Sequence, residues 1–273
     1  MKLSRLFSQT LRITYTHVQN SADFAIRRVG DTLYLYFAPS EGQEDWKNNL
    51  SFPARAYRRS GSRTWYAHRG FLKVWKTIED YVAADIADPT VEKIVLSGYS
   101  HGAALALLCH EYAWYNRPDL RSALEGYGFG CPRVVFGRPS AELRTRWDRF
   151  TVVRNIDDLI THLPPTVLGF THVGRMVKIG ERGKYSAVDA HRAENILAEL
   201  VLWEGKNELR HWAEFGGTMR QWNDSFISQT HNRRSWRCRA QPPSKHPRRA
   251  VLQACRWRGR TGRWKSKTHT FSI

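Results

Sequence analysis

Long apolar runs are missing from this chain. None of its 273 residues sits in a stretch approaching the roughly 18–20 consecutive apolar residues that a membrane span needs, although 41% of the residues are hydrophobic. Cysteine is scarce: Cys109, Cys131, Cys238 and Cys255 are the four. Their spacing matches neither a metal-ligand set nor a disulfide framework, so no metal site, cofactor or stapled mini-fold is expected, and a reducing, cytoplasmic setting is. The segment MKLSRLFSQTLRITY begins basic but holds no continuous apolar stretch and no small-residue cleavage site, so no signal peptide is expected. Acidic residues are absent from one region. Residues 232–273 carry 13 Lys/Arg and no Asp or Glu, which leaves 30 basic against 25 acidic residues, or +5, before them. The overall charge of +18 is therefore largely a property of this tail. With few aliphatic residues and no hydrophobic period, the tail is expected to be disordered.

What remains, residues 1–231, is long enough for one large α/β domain with a sizeable core. A short N-terminal helix is expected within residues 3–20. Ala22–Arg28 and Thr32–Phe37 flank Gly30-Asp31 and read as a β-hairpin. Residues 38–50 are polar with one tryptophan and read as a loop with room for a short helix. Ser51–Tyr57 and Thr64–Ala67 read as short strands around Ser60-Gly61-Ser62. Phe71, Val74, Trp75, Ile78 and Val82 fall on one face of a helix that ends before Asp88-Pro89. Strands are expected at Gly126–Gly130, Phe150–Arg154 and Val173–Ile179, and helices at 139–148 and 192–203. Strands alternating with helices predict a mainly parallel sheet covered on both faces, with its site at the carboxyl ends of the strands.

The chain is organised around residues 91–116, VEKIVLSGYSHGAALALLCHEYAWYN. Ile94-Val95-Leu96 reads as a buried strand. Ala103–Tyr115 is apolar on almost every side, so that helix should be buried, and Asn116 and Pro118 stop it. Between them lies Gly98-Tyr99-Ser100-His101-Gly102, a G-x-S-x-G in the strand–turn–helix context of a nucleophile elbow. Such a sharp turn tolerates only tiny neighbours, and it leaves the first N–H groups of a helix beside the serine. A serine hydroxyl needs a base within hydrogen-bond reach and an acid to orient that base. Asp157 and Asp158 follow the strand Phe150–Arg154 and are both candidates for the acid. Among later histidines, His162 is too close in sequence to come from a separate strand and His172 opens a strand. His191 lies in a loop before a helix, where a base is expected; Asp189 beside it suits a helix cap.

These residues resemble the lipase class 3 family of α/β-hydrolase fold esterases, from about Gly30 to about Leu200. Phe37-Ala38-Pro39-Ser40 followed by Asp45-Trp46 and Asn49-Leu50 keeps the spacing of the family's oxyanion strand and lid. His68-x-Gly70-Phe71, the elbow Gly98–Ala106, Gly128-Phe129-Gly130-Cys131-Pro132-Arg133-Val134, Asp158-Leu159-Ile160-Thr161-His162-Leu163-Pro164-Pro165 and Gly169-Phe170-x-His172 are each similar to family blocks, in order. The resemblance implies an α/β-hydrolase fold with a mostly parallel central sheet flanked by helices. It implies Ser100 as nucleophile, Asp158 rather than Asp157 as acid and His191 as base. Ser40 and the amide of His101 would be oxyanion donors, and residues 41–50 would take the place of the lid. Ala38-Pro39 departs from the family's Arg-Gly, and proline supplies no N–H there. His101 stands where leucine is frequent, and its ring is expected to pack rather than act as base.

The expected activity is hydrolysis of lipid or small carboxylic esters. Residues 41–50 carry Glu41, Glu44, Asp45 and Lys47 against Trp46 and Leu50, a polar lid that implies weak interfacial activation. Arginine interleaved with Trp236, Trp257 and Trp264 in the tail suits nucleic acid or an anionic membrane surface. A catalytically silent hydrolase scaffold that binds such a partner is the competing reading, and an extension with incidental charge accounts for the tail as well.

Overall fold

A computed structural model describes residues 1–18, 23–39, 53–57 and 65–214. Ser40, residues 41–50, the turn at Ser60-Gly61-Ser62 and the tail 232–273 lie outside the described residues.

Helix α1, Leu3–Arg12, precedes the hairpin β1, Phe24–Val29, and β2, Thr32–Phe37. The two strands pair antiparallel around Gly30, whose φ of +60° suits a residue without a Cβ. Short strands β3, Ala54–Tyr57, and β4, Trp65–His68, follow, and then α2, Arg69–Ala87. Strand β5, Lys93–Tyr99, leads through Ser100 into α3, His101–Asn116. The remainder is β6, Leu124–Phe129; β7, Val135–Phe136; α4, Ala141–Arg146; β8, Phe150–Asn155; β9, Phe170–Thr171; β10, Arg175–Ile179; and α5, Ala193–Glu214.

Six strands form the central sheet in the order β1-β2-β5-β6-β8-β10. Every pair from β2 to β10 is parallel, and only β1 runs against its neighbour. Strand alternation sends side chains to two separate cores. Leu33, Leu35 and Phe37 of β2 and Val152 of β8 join α2 and α3 on one face. Tyr36, Phe129 and Val153 face the other way, against Leu6 and Phe7 of α1 and Ile196 and Leu200 of α5. Helix α3 is wrapped on nearly all sides, with an unbroken buried run from His101 to Glu111, as its uniformly apolar sequence requires. These features give an α/β-hydrolase-type fold, a mostly parallel sheet flanked by helices.

Two features differ from expectation. The short strands β3 and β4 belong to a second, antiparallel sheet, β3-β4-β7-β9, completed by two-residue strands that carry no readable period. The last helix also continues past residue 203 to Glu214. Its extra turns are held by tertiary contacts: Glu204 accepts from the amide and hydroxyl of Ser4 at 3.0 and 2.6 Å, and Lys2 meets Glu208 at 2.6 Å.

Candidate active site

The carboxyl end of β5 brings Ser100 to the surface of the fold. Its φ of 56° and ψ of −121° make it the one non-glycine residue with positive φ among the described residues. Holding a serine there costs on the order of 1–3 kcal/mol, so the surrounding packing must enforce it. A Cβ on Gly98 would lie 2.1 Å from the carbonyl oxygen of Gly102. A Cβ on Gly102 would lie 2.2 Å from the oxygen of Phe37 and 2.4 Å from that of Ala38. The elbow thus touches the end of β2, from which the chain runs on to Ser40. The Ser100 amide donates to Phe129 O at 2.9 Å, fixing the turn against β6 as well.

His101 opens α3. Its imidazole is buried and meets Phe71 edge-on at 5.4 Å, so the ring packs into the core.

His191 ends a 3-10 turn, Asp189–His191, just before α5. Its Nε2 lies 2.8 Å from Ser100 Oγ and its Nδ1 2.8 Å from Asp158 Oδ2. The carboxylate fixes the tautomer: an ionised Asp158 only accepts, so Nδ1 carries the proton and Nε2 accepts from the serine hydroxyl. Asp158 is completely buried, and its second oxygen accepts the Ile160 amide at 2.9 Å. The His191 side chain is 15% exposed and Ser100 is half-buried, so the chain of hydrogen bonds runs from the interior toward solvent. Asp157 points elsewhere, accepting the Gly183 amide at 2.5 Å. Asp189 bonds the Ser186 hydroxyl at 2.7 Å and Arg192 at 2.9 Å, and does not reach the imidazole that follows it.

The other two histidines are engaged with main chain. His172 Nε2 donates to Thr161 O at 2.7 Å. Burial, with Arg133, Arg154 and His162 nearby, pushes its pKa down to about 4 despite that bond. His162 Nδ1 donates to Asp158 O at 2.8 Å, while its Nε2 accepts from Arg154. Arg133 donates to the carbonyls of His162 and Pro164. This cluster shapes the loop that carries Asp158.

Three residues that the sequence did not single out for the site support His191. Gly130, at φ +58°, leaves room for the imidazole. Asn155 Nδ2 donates to Ala190 O at 3.1 Å. The Tyr99 hydroxyl donates to His191 O at 2.5 Å. Gly130 stands in one of the recognised blocks, but that block assigned it no part.

A family model described as lipase (class 3) matches residues 34–168. That match takes in just under half of the chain, and through it the chain is similar to the lipase (class 3) family. The family match takes in Ser100 and Asp158 and ends before His191, whose position rests on the hydrogen-bond geometry. Similar proteins include a lipase from Rhizomucor miehei, 30% identical over 151 residues, which are 52% of this chain and 40% of the relative. Phospholipase A1-II 5 from Oryza sativa subsp. indica is 30% identical over 128 residues, 42% of this chain and 27% of the relative. The chain thus spans less than half the length of the curated relatives it matches. Among solved structures, a fungal lipase–inhibitor complex superposes with a TM-score of 0.56 at 23% identity, covering 66% of this chain and 78% of that one. Its likeness supports the lipase-type fold.

Proposed function

We propose that this class 3 lipase relative is a serine hydrolase that cleaves carboxylic esters of lipids through a Ser100–His191–Asp158 triad. One observation carries the reading: two 2.8 Å hydrogen bonds join the hydroxyl on a strained elbow, an imidazole and a buried carboxylate in the order that nucleophilic catalysis needs.

In the first half-reaction Ser100 Oγ attacks the ester carbonyl while its proton passes to His191 Nε2. Asp158 holds the imidazole in place and stabilises the imidazolium that forms. The developing oxyanion is received by the His101 amide, at the first turn of α3, and by Ser40, a role that rests on the family resemblance. Loss of one such donor raises the barrier by about 3 kcal/mol. Collapse of the tetrahedral intermediate breaks the ester C–O bond, and the imidazolium returns its proton to the departing alkoxide oxygen. Water, deprotonated by His191, then attacks the acyl-serine, releases the carboxylic acid and restores the serine hydroxyl.

Relatives named as a lipase and a phospholipase A1 point to acylglycerols or phospholipids as the substrate class. The experiment is turnover of a short-chain p-nitrophenyl ester by the full chain and by Ser100→Ala. The wild type should turn over and the variant should not; equal turnover by both removes the proposal.

A further inference from the structure

Beyond that reading, and resting on it, we propose that Tyr99 is a positioning residue that braces the base against the nucleophile through its phenolic hydroxyl. Tyr99 is the last residue of β5 and is covalently joined to Ser100. Its hydroxyl donates to the main-chain carbonyl of His191 at 2.5 Å. Its ring lies over the imidazole, with centroids 5.3 Å apart and planes 29° from parallel. A closed circuit results: Tyr99 to Ser100 by a peptide bond, Ser100 to His191 Nε2 by one hydrogen bond, and His191 O back to Tyr99 by another.

The circuit matters because of where His191 sits. The segment from Gly180 to His191 has no regular structure before its final 3-10 turn. A base carried on such a segment is placed only as well as its tethers place it. Asn155 holds the carbonyl of Ala190, one residue earlier, and Leu159 N donates to Ala187 O at 3.1 Å. Tyr99 holds the base's own peptide and ties it to the strand that carries the nucleophile. Displacements of about 1 Å between reacting groups cost up to about 10²-fold in rate, so a tether at this point bears directly on the chemical step. Burial, followed by the nearby Asp158 and Glu194, raises the Tyr99 pKa well above its ordinary value. The hydroxyl therefore stays a donor at neutral pH. The ring has a separate packing role, meeting Phe7 edge-on at 5.5 Å. Tyr99→Phe keeps that role and removes only the tether.

The test uses the full chain. In Tyr99→Phe, kcat on a soluble p-nitrophenyl ester should fall about tenfold with KM within about twofold of wild type. Proton NMR should show the low-field His191 Nδ1 proton, shared with Asp158, exchanging with water about tenfold faster than in wild type. A variant that fills space alone would change neither quantity. Unchanged kcat and unchanged exchange in folded Tyr99→Phe overturn the proposal. If that variant does not fold, 3,5-difluorotyrosine at position 99 keeps the shape but ionises at lower pH, and a phenolate cannot donate. A new alkaline limb in kcat that follows the ionisation of residue 99, read by its own ¹⁹F NMR titration, supports the brace, and a kcat that stays flat through that ionisation overturns it. The exchange rate needs no turnover, so failure of the brace is distinguishable from failure of the esterase reading, which Ser100→Ala decides.

Discussion

The backbone of Gly130 faces the imidazole of His191 so closely that a Cβ there would lie 2.8 Å from Cε1 and 3.0 Å from Nδ1. Gly130 also has φ +58°, so alanine adds backbone strain of roughly 1–2 kcal/mol. Gly183, at φ +77° with nothing within 4 Å of a Cβ, separates the two effects. Gly183→Ala should lose about the same stability and keep full esterase turnover. Gly130→Ala should lose turnover by about 10²-fold or more, because the His191 imidazole is pushed off the serine. Denaturant midpoints and kcat measured together on both variants check this.

Asp158→Asn should preserve the fold and cut kcat roughly 10³ to 10⁴-fold. The amide is nearly the size of the carboxylate, and its oxygen still accepts from Ile160. Its NH₂ group, however, turned toward Nδ1, would donate there and leave the proton on Nε2, where the serine needs an acceptor. Asp157→Asn, at the residue facing Gly183, should leave kcat within about twofold, since its carboxylate takes no part in the hydrogen-bonded chain. Steady-state kinetics on the two variants distinguish the adjacent carboxylates.

His110 is completely buried in α3, and both ring nitrogens lack a hydrogen-bond partner among the described residues. Burial lowers its pKa to about 3, and that of His172 falls to about 4. Both are thus depressed below the ordinary histidine value near 6.5. Between that value and the lowered ones the unfolded chain binds protons that the folded chain does not, so stability rises with pH across this window and levels off above it. Acidification should therefore destabilise the protein by up to about 1.4 kcal/mol per pH unit for each histidine. His110→Leu should flatten the dependence between pH 6.5 and 4 and leave stability at pH 7 unchanged or higher. Urea unfolding of both proteins across that range is the check.

The elbow was readable because its constraints are local. An apolar strand, two glycines and an apolar helix lie within 26 consecutive residues. The hairpin at Gly30 and the amphipathic face of α2 were readable for the same reason: short-range periodicity reports burial directly. Asp157 and Asp158 were indistinguishable by composition, and only the resemblance favoured Asp158. In the fold they differ completely, one carboxylate buried against His191 and the other turned to the Gly183 amide. The second sheet was not readable, because β7 and β9 are two residues each and their partners are distant in sequence. Tyr99 and Asn155 were missed for a related reason. Each acts on a main-chain carbonyl, 92 and 35 residues away, and a carbonyl leaves no mark in the amino-acid sequence.

Ester cleavage at this site requires Ser100 to be activated by its neighbours, and a fluorophosphonate probe reads that activation without any knowledge of the natural ester. The full chain should be labelled at one serine, mapped by peptide mass spectrometry to Ser100, and Ser100→Ala should take up no label. Labelling that persists in Ser100→Ala, or folded wild-type protein that remains unlabelled, would contradict that activation.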